Sequence, residues 1–175
     1  LEQSLKNLIL FGFKSCGKTH FGNLLSKQLH IPFIDTDTLI EKRYASPLSV
    51  REIYSQVGQE TFRALETEAI QAIPQNPSRI ISLGGGAVLN LNNISYLKGL
   101  GKLIYLKINF QTAQNRILQT PLPAFIDPKY PLFSLHKVYQ ERLSLYEAIA
   151  DISIDTNSAT ETDILNTLIK SYGSL

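Results

Sequence analysis

Gly12-Phe13-Lys14-Ser15-Cys16-Gly17-Lys18-Thr19 constrains this chain more than any other stretch. The run Leu8-Ile9-Leu10-Phe11 precedes it and reads as a short buried parallel strand. Phe21, Leu24, Leu25, Gln28 and Leu29 follow it on one face of a helix. Strand, glycine-rich turn and helix in that order build a cradle for an anion. Glycines let the backbone wrap a chain of phosphates, while loop amides and the helix N-terminus face the negative charge. Lys18 can then reach the β- and γ-phosphates of a nucleotide, and the Thr19 hydroxyl can ligate Mg²⁺. The spacing Gly-x-x-x-x-Gly-Lys-Thr is that of a phosphate-binding P-loop. An incidental glycine turn is the alternative, and it does not account for the flanking strand and helix.

The rest of the chain alternates strand and helix patterns. Phe33-Ile34 leads into Asp35-Thr36-Asp37, and Arg79-Ile80-Ile81-Ser82-Leu83 runs into Gly84-Gly85-Gly86. Leu103-Ile104-Tyr105-Leu106 and Ile152-Ser153-Ile154-Asp155 complete five strands. Helices are expected around 39–44 (ending at Ser46-Pro47), over 49–57, from beyond Gly58 to Ile73, over 111–118, and after a Thr160-x-x-Asp163 cap. Such alternation argues a parallel sheet with helices on both faces, a three-layer α/β/α fold. In such sheets ligands bind beyond the carboxyl ends of the strands. Gly12, the Asp35/Asp37 pair and Gly84 to Gly86 all follow strands and so meet at that edge. At 175 residues the chain is expected to be one domain, 1–175.

Composition narrows the partners. A net charge of +2 gives no broad field for a polyanion, and no RNA-binding motif is present, so nucleic acid is not expected as a partner. One cysteine excludes an internal disulfide framework. No apolar run approaches a membrane span and no signal-peptide pattern stands at the start, so the expected compartment is a reducing cytoplasm.

Several residues are candidates for chemistry. Asp35 and Asp37 point the same way on an extended segment. One can support a metal's hydration shell and the other can meet an acceptor hydroxyl. The plainer alternative makes Asp37 the N-cap of the next helix. Leu135, Val138, Arg142, Leu145, Tyr146 and Ile149 share one helical face, with a guanidinium in its middle. A buried arginine requires an anion, either an internal carboxylate or a substrate. Arg63 and Glu66 can pair at i,i+3, and the alternative there is a surface ion pair worth little. Gly84, Gly85 and Gly86 open backbone amides to a ligand. Cys16 reads as a small residue that fits the loop, and His20 as the first-turn side chain beside it. Residues 120–133 hold four of the eight prolines and no periodicity, and at about fourteen residues they read as a lid.

Taken in order, these motifs resemble the shikimate kinase family over nearly the whole chain. The carriers are Gly12 to Thr19, Asp35-Thr36-Asp37, Gly58-Gln59-Glu60-Thr61-Phe62-Arg63-x-x-Glu66, Ser82-Leu83-Gly84-Gly85-Gly86-Ala87-Val88, Pro121-Leu122, Arg142-x-x-Leu145-Tyr146, and Asp155-Thr156. The resemblance implies a nucleoside-monophosphate-kinase-like P-loop fold with five parallel strands. It also implies a helical substrate-binding region near 36–73 and a mobile lid near 116–133. The implied activity is Mg²⁺-dependent transfer of the ATP γ-phosphoryl group to the 3-hydroxyl of shikimate, by a monomer. By position, Gly12, Lys14, Ser15, Cys16, Gly17, Lys18, Thr19, His20 and Arg116 would hold the nucleotide, and Thr19 and Asp35 the metal. Lys18, Asp37 and Arg116 would serve catalysis. Asp37, Arg63, Arg142 and Gly84 to Gly86 would bind shikimate, the arginines at its carboxylate.

Two positions depart from the family pattern. Ser15 stands where a glycine is usual, and Thr120 stands where the lid usually carries an arginine. Lys129, Arg116 and Lys14 are the candidates to supply that charge. Rival readings are a kinase for another small hydroxylated acid, such as gluconate, and a nucleotide-binding protein with weakened kinase activity.

Overall fold

The computed structural model describes residues 7–44 and 47–173. Its first strand, β1 (Asn7–Phe11), is buried at every position, as a strand covered by helices on both faces must be. Four more strands flank it: β2 (Phe33–Asp35), β3 (Ile80–Ser82), β4 (Gly101–Lys107) and β5 (Ile152–Asp155). All pair in parallel in the order β2-β3-β1-β4-β5. Leu8 lies in register with Ile80 on one side and Lys102 on the other. The chain thus steps outward from β1 to β2, returns to β3, and crosses β1 to reach β4. That reversal leaves a crevice beyond the carboxyl end of β1.

Helices α1 (Lys18–Leu29), α2 (Thr36–Arg43), α3 (Val50–Gln71), α4 (Leu91–Leu100), α5 (Phe110–Leu118), α6 (Pro131–Ile149) and α7 (Glu161–Gly173) connect and cover the strands. The five-stranded parallel α/β architecture expected from the sequence is the one observed. Gly58 breaks α3 at φ 79° and ψ 170°, as its place in the pattern suggested. Helix α3 starts with a full capping box, Ser49 and Glu52 each serving the other's backbone N–H. The Thr160 hydroxyl and Asp163 pair likewise at the start of α7.

Two differences have local causes. Helix α4 escapes the sequence pattern because it is rich in asparagine and shows the core little beyond Ile94, Leu97 and Leu100. Helix α6 begins inside the proline-rich run, with Pro131 in its first turn, where a missing N–H does no harm. Helix α2 ends at Arg43, and the expected stop at Ser46 lies outside the described residues.

Two apolar clusters form. The larger one packs both faces of the sheet. The smaller one gathers Ile40, Ile53, Phe62 and Ala69 from α2 and α3, apart from the sheet. Between strands, one buried polar side chain fixes the alignment. Asn7 donates from Nδ2 to the Leu100 carbonyl at 2.8 Å, and its Oδ1 accepts from the Arg79 N–H at 2.8 Å. It thereby ties the start of β1 to the approaches of both neighbouring strands. Asn7→Ala orphans both partners and is expected to lower the unfolding free energy by about 2–4 kcal/mol, read from a denaturant titration with an unchanged slope.

Candidate active site

The loop after β1 folds as its glycines require. Gly12 has φ 146° and Gly17 φ 99°, a left-handed region that side chains disfavour. A Cβ at Gly12 would lie 2.6 Å from the Leu106 carbonyl oxygen and 3.0 Å from the Cys16 Sγ. Ser15 also adopts positive φ, 66°, which explains why glycine suits this position. Cys16 is buried against the loop, so the small-residue reading fits its surroundings. Lys18 Nζ donates to the carbonyls of Gly12 and Phe13, both at 3.1 Å, and so spans the loop mouth.

At the end of β2 the two aspartates divide their work. Asp35 is the N-cap of α2, its Oδ1 accepting from the Asp37 N–H at 3.0 Å. Its Oδ2 accepts from the Thr19 hydroxyl at 2.8 Å. The capping role that the sequence allowed for Asp37 therefore falls to Asp35. Asp37 is left in the first turn, facing the cleft. A hydroxyl and a carboxylate in contact beside a phosphate loop are hard oxygen donors, the set that suits Mg²⁺. Thr19 and Asp35 fit that ion. Among the described residues no group of three or more His, Cys, Asp or Glu could hold a metal.

After β3 the backbone passes between charged groups. A Cβ at Gly84 would lie 2.6 Å from Asp37 Oδ1 and 2.9 Å from Glu66 Oε1, and one at Gly86 would overlap the Arg63 guanidinium. The Gly84 N–H is held by the buried Thr36 hydroxyl at 2.9 Å. The Gly85 carbonyl accepts from Arg142 Nη1 at 3.1 Å and from the Tyr146 hydroxyl at 2.5 Å. Arg63, half-buried, binds Glu66, which is 2 % exposed, so this pair is more than a surface contact. Arg142 is 7 % exposed and makes no ion pair with a carboxylate among the described residues. It rests instead 4.9 Å from the Phe125 ring centroid and 6.0 Å from that of Phe13. Its charge is stabilised by carbonyl and ring faces, and Glu66 acts on it through space without a direct ion pair.

Burial dominates the electrostatics of the acids. Desolvation, helped by Asp35 and Glu66, pushes the Asp37 carboxyl up to about 7 against the pull of Lys18 and Lys14. Burial also raises Glu66, more than Arg63 and Arg142 lower it. Tyr146 is pushed up to about 12 by burial.

These groups line one cleft with a cavity volume of about 380 Å³, within the range of small-ligand sites. It brings together Lys14, Ser15, Gly17, Lys18, Thr19, His20, Asp35, Asp37, Arg63, Gly84, Gly85, Gly86 and Arg142. Arg116 lies outside it. Its Nη1 donates to the Ser15 carbonyl at 2.9 Å, and it lines an adjacent hollow with Cys16, Gly17, His20, Thr156 and Glu161. His20 meets Glu161 at 2.6 Å across that hollow. Lys129 lies over the Tyr130 ring, 5.4 Å from its centroid, and is not among the cleft-lining side chains. The Thr120 hydroxyl turns back to the Ile117 carbonyl at 2.9 Å. Sequence reasoning missed Arg51, Tyr54 and Phe125, which also line the cleft. Phe125 sits in the proline-rich run without periodicity, and only its aromatic character marks it.

Comparisons with known proteins give the family and the fold. A family model described as shikimate kinase matches residues 14–172. The chain belongs to the shikimate kinase family. It is 34 % identical over 171 residues to a shikimate kinase of Thermodesulfovibrio yellowstonii, covering 98 % of this chain and 97 % of that one. It is 36 % identical over 171 residues to one from Caldanaerobacter subterraneus subsp. tengcongensis, covering 96 % of each. The fold is similar to the shikimate kinase from Acinetobacter baumannii in complex with shikimate. The TM-score is 0.88 at 25 % identity, over 98 % of this chain and 94 % of that one. Membership makes the chain an ATP-dependent small-molecule kinase that uses Mg²⁺. Among the described residues no helix is long and apolar enough to cross a membrane.

The raised Asp37 carboxyl sets a pH dependence of stability. Its ordinary value is 3.8 and its folded value about 7, so the folded chain holds this proton more tightly. The resulting stabilisation is fully present below about pH 4 and is lost as pH rises through 7. Asp37→Asn is therefore expected to be more stable than the parent at pH 8 by about 1–3 kcal/mol, the gap closing towards pH 4, in paired denaturant titrations.

Proposed function

We propose that this chain transfers the γ-phosphoryl group of MgATP to the 3-hydroxyl of shikimate, giving shikimate 3-phosphate and ADP in the route to aromatic amino acids. The observation that carries the acceptor is the buried Arg142, a cation with no direct ion pair among the described residues, facing the same cleft as Asp37. A small hydroxylated acid answers both, its carboxylate for Arg142 and Arg63 and its hydroxyl for Asp37.

In this reading Lys18 and the loop amides of residues 14 to 19 hold the phosphates. Arg116 and His20 flank the nucleotide from the adjacent hollow. Thr19 and Asp35 hold Mg²⁺, which when bound neutralises charge on the β- and γ-phosphates. Arg63, kept in place by Glu66, and Arg142, kept by the Gly85 carbonyl, grip the carboxylate and turn the acceptor hydroxyl towards the phosphates. Asp37 Oδ accepts the hydroxyl proton as the oxygen attacks phosphorus in line, and the bond to the departing ADP oxygen breaks. A carboxyl near pH 7 suits this exchange, since it gains and loses a proton at working pH. Residues 36–73 form the acceptor-binding region and residues 116–133 a lid that closes over the cleft and excludes water. A monomer in the cytoplasm completes the reading, since one copy supplies every residue it uses.

The test is ADP release from MgATP with shikimate, gluconate, quinate and a nucleoside monophosphate as acceptors. Release is expected with shikimate alone. Asp37→Asn is expected to lower kcat by about 10²–10⁴-fold. Arg142→Ala is expected to lower kcat/KM for shikimate by about 10²–10³-fold, mostly through KM. Release with gluconate instead would reassign the acceptor. Nucleotide binding without release would favour the weakened kinase that Thr120 raises.

A further inference from the structure

Arg51 is the second residue of α3, where the Ser49–Glu52 capping box fixes the backbone. Its Nε donates to the Leu122 carbonyl at 2.8 Å, a contact between residues 71 apart in sequence. Leu122 lies between Pro121 and Pro123, two residues that offer no backbone N–H of their own. On one side of this span Thr120 finishes α5 through the Ile117 carbonyl. On the other side Phe125 lies under Arg142, and Ile126 is buried in the main core. The span 121–124 is therefore anchored at both ends, and Arg51 joins its middle to the acceptor-binding helix. Arg51 also lines the cleft that holds Lys14, Lys18 and Thr19, and among the described residues it makes no ion pair. The carboxylate next to it, Glu52, already serves the N–H and hydroxyl of Ser49.

We propose that Arg51 fastens the 121–124 span over the cleft and supplies there the positive charge for phosphoryl transfer that Thr120 lacks. One N–H holds the Leu122 carbonyl. The rest of the planar guanidinium remains available to phosphoryl oxygens, a division that a forked donor permits. This inference rests on the kinase reading above. It replaces Lys129 as a source of charge, because Lys129 is turned onto Tyr130 and away from the cleft lining.

The test uses the full chain and its Arg51→Met and Arg51→Lys variants. Arg51→Met is expected to lower kcat by about tenfold or more and to leave KM for shikimate within about threefold. It is also expected to raise ATP hydrolysis relative to transfer, since a loosened span admits water. Arg51→Lys, which keeps the charge but not the fork that also holds Leu122, is expected to recover kcat only in part, by about threefold over Arg51→Met. Wild-type kcat and hydrolysis ratio in Arg51→Met would overturn the proposal, as would equal impairment in both variants. Hydrogen exchange across residues 119–130 gives a readout that needs no acceptor. MgADP is expected to slow exchange there in the wild type and to do so less in Arg51→Met. Equal slowing in the two proteins would overturn the fastening role even if shikimate proved not to be the acceptor. Absence of shikimate-dependent release in the wild type, with the exchange difference intact, would sink the substrate reading and leave the fastening role standing.

Discussion

Four charged side chains converge on a backbone strap that has no side chains of its own. Gly84 leaves room for the Asp37 and Glu66 carboxyls, and Gly86 leaves room for the Arg63 guanidinium. Gly85 presents its carbonyl to Arg142 and Tyr146. A Cβ at Gly84 or Gly86 would push these charged groups apart, whereas one at Gly85 would meet only ordinary contacts. The strap is held in turn by Thr36, whose buried hydroxyl receives the Gly84 N–H and so locks the end of β3 to the start of α2. Sheet edge, helix α2 and cleft wall are thus one connected piece, and the close approach of the charged groups depends on the side chains that Gly84 and Gly86 lack.

The same convergence sets stability against chemistry. Burial favours the protonated forms of Asp37 and Glu66, so an anionic Asp37 works against the fold. Arg142 is buried with ring faces and a carbonyl in place of a carboxylate. A carboxylate bonded to it would relieve this arginine but would also fill the part of the cleft that it lines. Glu66 takes the opposite course, giving its charge to Arg63 and holding that guanidinium in one orientation.

Local patterns made much of this legible in the sequence. Five strands and the phosphate loop declare themselves through short apolar runs and glycine spacing, and a parallel sheet follows from their alternation with helices. Arg142 stood out because a cation on an apolar helical face needs an explanation. The aspartate pair was visible, but which of the two caps α2 was not, since that depends on where β2 stops and the helix begins. Arg51 and Phe125 were illegible for a different reason. Each becomes notable only through a partner that folding brings near, Leu122 for one and Arg142 for the other. Helix α4 was lost because asparagine and glycine dilute its apolar face.

The small cluster of Ile40, Ile53, Phe62 and Ala69 stands apart from the core that packs the sheet. Tyr54 and Phe62, which line the cleft, pack on or within that cluster. Side chains there can exchange size and shape while the core around the sheet keeps its packing, because sites that share few contacts add nearly independently. The wall of the cleft that carries Tyr54 and Phe62 can therefore be reshaped at little cost to the core that holds the sheet.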